Sequence, residues 1–190
     1  MKIESAILAG GKNSRYGGQN KAFIKVEGLQ IIDRNIAVLS KLFPRISIIT
    51  NHAEQFSAYS LPMSSDYFHE IGPLAGIHSA LKNAISDGVF ISSCDMPFLD
   101  KGMMKTVLNI AETQNVEAVI PRVNGDLEPL FAFYSKRILS RLEVHIKESR
   151  GRSIRSFLKT INTVFIDFEA TDDVRKAFTN INRPEDLKDI

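Results

Sequence analysis

Several classes of protein are excluded by what this sequence lacks. Its 190 residues contain one cysteine, Cys94, so no disulfide can form within the chain, and such sparse usage fits a reducing compartment. No apolar run approaches the ~20 residues a helix needs to span a bilayer. The opening MKIESAILAGG carries Glu4 and only a short apolar run, a poor match to a secretory signal. An excess of one charge is also missing. Twenty-four Lys and Arg against 22 Asp and Glu leave a formal +2, so bulk electrostatics give no reason to expect a nucleic-acid partner. Repeats, low-complexity tracts and Pro/Gly/Ser-rich linkers are absent too. The expectation is a cytoplasmic protein with one domain over 1–190, no membrane and no nucleic acid.

Common catalytic signatures are missing as well. Gly11-Lys12 is followed by Asn13, so there is no G-x-x-x-x-G-K-[ST], and the glycines fall as pairs at 10–11 and 17–18 rather than as G-x-G-x-x-G. There is no G-x-S-x-G, no H-E-x-x-H and no Cys/His cluster with metal-ligand spacing. His52, His69, His78 and His145 are scattered and read as surface or core groups.

What is present is an alternation of apolar strands and amphipathic helices. IESAIL (3–8), RISIIT (45–50), GVFISSC (88–94), EAVIP (117–121), LFAFY (130–134) and TVFIDF (163–168) read as strands. Helices are expected over 30–43, stopped with the help of Pro44, and over 72–85, with Pro73 in the first turn. A third is expected from an Asp100 N-cap to about Gln114, then others over 136–147 and 153–159 and from Pro184. Strands without polar alternation, separated by helices, indicate an α/β protein with a mostly parallel sheet covered on both faces. The stretch 117–134, turning at Val123-Asn124-Gly125-Asp126, is expected to add a small antiparallel part. Such sheets bind ligands beyond the carboxyl ends of their strands, where both the glycine-rich segment after the first strand and Asp95 would lie.

The segment Leu8–Lys21, LAGGKNSRYGGQNK, combines ordering cost with like charge. Its glycines let backbone amides approach an anion, Arg15 can grip phosphate oxygens bidentately, and Lys21 can act as a movable point charge. A solvated basic turn has the same composition, and Leu8 and Ala9 also suit simple core positions. Asp95, turned outward before Met96-Pro97, suits either a turn cap or a Mg²⁺ ligand acting with substrate phosphates.

The string Leu8-Ala9-Gly10-Gly11-x-x-Ser14-Arg15-x-Gly17-x-x-x-Lys21 resembles the signature of nucleotidyltransferases, in particular that of the molybdenum cofactor guanylyltransferase family. Four further blocks follow in order: Gly72-Pro73-Leu74-Ala75-Gly76, Cys94-Asp95-Met96-Pro97-Phe98, Glu128-Pro129-Leu130 with Tyr134, and Asn180-Ile181-Asn182 ahead of Pro184. Together they span nearly the whole chain. Two departures stand out: Tyr16 replaces a usual methionine, and Asn20 replaces a usual aspartate beside Lys21.

The resemblance implies a Rossmann-like three-layer sandwich of the nucleotide-diphospho-sugar transferase type. It implies GMP transfer from GTP to the terminal phosphate of molybdenum-molybdopterin, with Mg²⁺ as cofactor and pyrophosphate released. Arg15, Lys21 and Asp95 would be catalytic, with Asp95 as metal ligand. Leu8, Ala9, Gly10, Gly11, Lys21, Asn51, Asp66, Gly76 and Asp95 would bind nucleotide. The acceptor is expected near Asn180 and Asn182, along with Arg122 and the Arg150-Gly151-Arg152-Ser153 turn. Partners would be GTP, molybdopterin or its molybdenum form, and chaperones that deliver cofactor to molybdoenzymes. Cytidylyl transfer to the same acceptor, sugar-phosphate nucleotidyl transfer and a non-catalytic cofactor-delivery role remain open alternatives.

Overall fold

The computed structural model describes residues 1–10, 20–148, 153–181 and 186. Within them the chain runs through β1 (Ile3–Leu8), β2 (Lys25–Val26), β3 (Leu29–Gln30), α1 (Ile31–Leu39), β4 (Ile46–Ile49) and β5 (Met63–Ser64). There follow α2 (Pro73–Asn83), β6 (Gly88–Ser93), α3 (Lys101–Thr113), β7 (Ala118–Val123), β8 (Asp126–Leu127) and β9 (Phe131–Ser135). The chain then forms α4 (Leu139–Glu148), α5 (Ile154–Leu158), β10 (Thr163–Phe168) and α6 (Asp172–Ala177).

The large sheet has the order β10-β7-β9-β6-β1-β4-β5, with β8 hairpinned onto β7 and β2–β3 forming a separate ribbon. Strands β10, β7, β6, β1, β4 and β5 point one way, and among the described residues β9 and β8 run against them. The expected antiparallel addition is therefore real, but β9 lies inside the sheet, paired with both β6 and β7.

Neighbouring residues on each strand enter opposite cores. Ile7, Phe90, Phe131 and Phe133 pack with α1, α3 and α6, whereas Ala6, Ile91, Ala132 and Tyr134 pack with α2, α4 and α5. Burial on both faces explains why these strands lack polar alternation. The result is a three-layer sandwich.

Three differences from the sequence reading have local causes. The first helix ends at Leu39 rather than 43: Lys41 and Leu42 turn to carbonyls three residues back, tightening the chain before Pro44. Strands β2, β3, β5 and β8 hold two residues each, too few to show a period. Helix α6 was not expected; Thr171 caps it by accepting from the Val174 amide, and Val174 and Ala177 are its buried residues. The helix expected from Pro184 falls on positions outside the described residues, apart from Asp186.

Helix α1 carries the chain from β1 to its neighbour β4, and α2 carries it from β5 back past β1 to β6 on the other side, the two helices covering opposite faces. That makes the carboxyl end of β1 a topological switch point, the place where open α/β sheets form a crevice.

Candidate active site

Three strands end together around this crevice. After β1 come Ala9 and Gly10, after β4 come Thr50 and Asn51, and after β6 come Cys94 and Asp95. Backbone bonds fasten the ends: Cys94 N–H donates to Leu8 O at 3.1 Å and Ala9 N–H to Ile49 O at 2.8 Å. A cleft of about 800 Å³ opens there, with Leu8, Gly10, Lys21, Asn51, Asp66, Gly76 and Asp95 on its walls.

At one end, Lys21 Nζ lies 3.3 Å from Asp95 Oδ2, and both side chains are mostly buried, at 17% and 18% exposure. The other carboxylate oxygen accepts a 2.5 Å hydrogen bond from Ser93 Oγ. Behind it, the Ile181 amide donates to Asp95 O at 2.8 Å, and Asn35 Nδ2 donates to Ser93 O at 3.3 Å. The carboxylate is thus aimed into the cleft by both neighbouring backbone and side chains. Lys21 itself stands on a 3₁₀ turn, Lys21–Phe23, capped by Asn20.

At the other end, Asn51 and Asp66 bind each other twice: Asn51 Nδ2 donates to Asp66 Oδ2 at 3.0 Å, and Asp66 N–H donates to Asn51 Oδ1 at 2.9 Å. Burial pushes the Asp66 carboxyl up, an effect that the Asn51 bond and the electrostatic influence of His69 and His78 partly offset. Its Oδ1 is buried and has no partner among the described residues, which leaves an acceptor available to a ligand's N–H or O–H.

Not every expected residue is on the wall. Ala9 lies beneath it, buried in the core, with its carbonyl accepting from Thr50 Oγ1. Gly76 is on the wall and is also a packing position: a Cβ there would stand 2.9 Å from Leu8 Cδ1, so glycine lets α2 close on β1 and shape the cleft floor. Asn180 is one residue from the Ile181–Asp95 contact, and its side chain donates to Phe178 O. Arg122 is engaged elsewhere, in a two-pronged bond to Asp167 at 2.7 and 2.6 Å. Gly11, Arg15, Asn182 and the Arg150–Arg152 stretch lie outside the described residues.

Some wall residues escaped sequence reasoning. Gln55, Phe68, His69 and Glu70 line the cleft but belong to no motif. Ser93 had a faint signal, two residues before Asp95 on the same strand. Cys94 also touches the cleft, yet burial and the Asp95 charge push its thiol up to about 12, so it stays protonated and is no nucleophile. Glu128 is pushed up to about 7, first by burial and then by Asp126.

The described residues contain no cluster of three or more His, Cys, Asp or Glu arranged to hold a metal. The donor set at Asp95, a single carboxylate facing the cleft, suits a small hard cation that completes its shell with phosphate oxygens and water.

A family model for the MobA-like NTP transferase domain matches residues 5–164. The chain belongs to the MobA-like NTP transferases. It is 35% identical to a probable molybdenum cofactor guanylyltransferase of Clostridium perfringens, covering all of this chain and 96% of that one. It is 32% identical to the molybdenum cofactor guanylyltransferase of Desulfosudis oleivorans, over 98% and 93% of the two chains. The solved structure of molybdopterin-guanine dinucleotide biosynthesis protein A from Archaeoglobus fulgidus superimposes with a TM-score of 0.81 at 27% identity, covering 100% of this chain and 96% of that one. Membership in this family makes the chain a nucleotidyltransferase. Among the described residues no helix is long and apolar enough to cross a membrane.

Proposed function

We propose that residues 1–190 act as one cytoplasmic nucleotidyltransferase unit that transfers GMP from GTP to the terminal phosphate of molybdenum-molybdopterin. The observation carrying this reading is the Lys21–Asp95 pair at 3.3 Å inside the cleft of a MobA-like chain. A cation from the glycine-rich segment and a carboxylate from β6 face each other where a triphosphate would lie.

The reaction forms a bond between the acceptor phosphate oxygen and the α-phosphorus of GTP and breaks the bond from that phosphorus to the β-bridging oxygen. An alkyl phosphate has its second pKa near ~6, so the nucleophile is already ionised at neutral pH and needs no general base. Catalysis is then positioning and charge neutralisation. Asp95, held by Ser93, would hold Mg²⁺ together with the substrate phosphates; the ion supplies neutralisation of the charge that grows on them. Lys21 exchanges its carboxylate partner for the departing pyrophosphate, with Arg15 and the amides of Gly10 and Gly11 as further anion donors. Asn51 and Asp66 would read the nucleoside end, Asp66 through its unpartnered oxygen. Asn180 and Asn182 would meet the molybdopterin.

The test is pyrophosphate release from GTP and from CTP in the presence of Mg²⁺ and molybdenum-molybdopterin. Acceptor-dependent release with GTP supports the proposal. Preference for CTP reassigns the chain to cytidylyl transfer, and binding without release assigns it to cofactor delivery.

A further inference from the structure

A second short turn faces the one that carries Lys21. The 3₁₀ turns Lys21–Phe23 and Ala53–Phe56 are joined through the core by the Phe23 and Phe56 rings, whose centroids are 4.9 Å apart. At the cleft they are joined by amides: Asn20 Nδ2 donates to Gln55 Oε1 at 3.2 Å. Asn20 is buried, whereas Gln55 is exposed on the cleft wall.

The polarity of this amide pair is determined step by step. The Ala22 backbone N–H, buried at the start of its turn, must have an acceptor and takes Asn20 Oδ1 at 3.1 Å. Asn20 can therefore present only its NH₂ to Gln55, and Gln55 must answer with Oε1. The NH₂ of Gln55 is left pointing away from Asn20, on a residue that lines the same cleft as Lys21.

We propose that Gln55 is a phosphate-contacting residue, its NH₂ donating to the β/γ-phosphates, and that Asn20 is the positioning residue that keeps that donor turned toward the nucleotide. This rests on the nucleotide reading above. An aspartate at position 20 would still cap Ala22, but it would draw the Gln55 NH₂ toward itself and turn Oε1, an acceptor, against the phosphates.

The test measures the dissociation constants of Mg·GTP and of GMP, which lacks the β- and γ-phosphates, for the wild type, Gln55→Ala, Asn20→Asp and the double variant. A hydrogen bond to a charged group is worth about tenfold in affinity or more. Gln55→Ala and Asn20→Asp should each weaken Mg·GTP about tenfold and leave GMP within about threefold. In the Gln55→Ala background, Asn20→Asp should cost less than about threefold. The Gln55 side-chain NH₂ resonances should also shift when Mg·GTP is added to the wild type. Unchanged GTP affinity in Gln55→Ala, equal losses for GTP and GMP, or the same Asn20→Asp cost in both backgrounds overturns the inference while leaving the nucleotide reading standing. A wild type that binds no Mg·GTP overturns both.

Discussion

Lys21 Nζ and Asp95 Oδ2 stand 3.3 Å apart across a sequence separation of 74 residues, at the point where β1 and β6 end side by side. Each offsets the charge of the other. Binding a metal-bound triphosphate replaces one ion pair by two, carboxylate to cation and ammonium to phosphate. Asp95→Ala should therefore lower turnover by roughly 10³-fold or more while keeping the wild-type circular dichroism spectrum. Lys21→Ala should weaken GTP binding as well as turnover, by roughly tenfold or more in affinity. Steady-state kinetics with titration of Mg·GTP checks both.

The Asn51–Asp66 pair makes a different claim. Asn51→Ala removes both of its bonds to Asp66, so a carboxyl already raised by burial rises further and loses its fixed orientation. GTP affinity should fall about tenfold with kcat changed less than about threefold, because Asn51 is remote from the reacting phosphorus in this scheme. A kcat loss as large as the affinity loss would move Asn51 to the chemical end of the cleft.

Gly76→Ala sets two effects against each other. Alanine gains about 1 kcal/mol of helix propensity over glycine. Its Cβ, however, would lie 2.9 Å from Leu8 Cδ1, and overpacking costs about 1–3 kcal/mol. A net loss of up to about 2 kcal/mol is expected. Because Leu8 also lines the cleft, its displacement should weaken nucleotide binding. Thermal unfolding with and without GTP separates the two.

Glu128 gives stability a pH dependence of known sign. Its folded carboxyl, pushed up from 4.5 to about 7, holds a proton more tightly than the unfolded chain does. The contribution is fully present below pH 4.5 and is lost as pH rises through about 7. Unfolding measured from pH 5 to 8 should show wild-type stability declining across that window, and Glu128→Gln should flatten the decline. Parallel curves for the two proteins would remove Glu128 as the source.

The layered architecture was legible because its strands are apolar on both faces and end in distinctive strings, Leu8-Ala9-Gly10 and Cys94-Asp95-Met96. The second string and the Lys21 that closes the glycine-rich segment also marked the two charged ends of the Lys21–Asp95 pair. Helix α6 stayed hidden because Val174 and Ala177 alone do not make a visible stripe; its cap and its packing make it a helix. The internal place of β9 was equally invisible, since strand order depends on pairings far apart in sequence. Gln55 illustrates the limit for sites. A glutamine on an exposed turn carries no motif, and its hydrogen bond from the buried Asn20 fixes which end of its amide is turned away.

The most direct test is a crystal structure with Mg²⁺ and a non-hydrolysable GTP analogue. The account predicts a triphosphate in the cleft, Lys21 Nζ moved from Asp95 onto phosphate oxygens, and the Asp95 carboxylate on the metal. Phosphates bound outside the cleft, with the 3.3 Å Lys21–Asp95 pair unbroken, would contradict it.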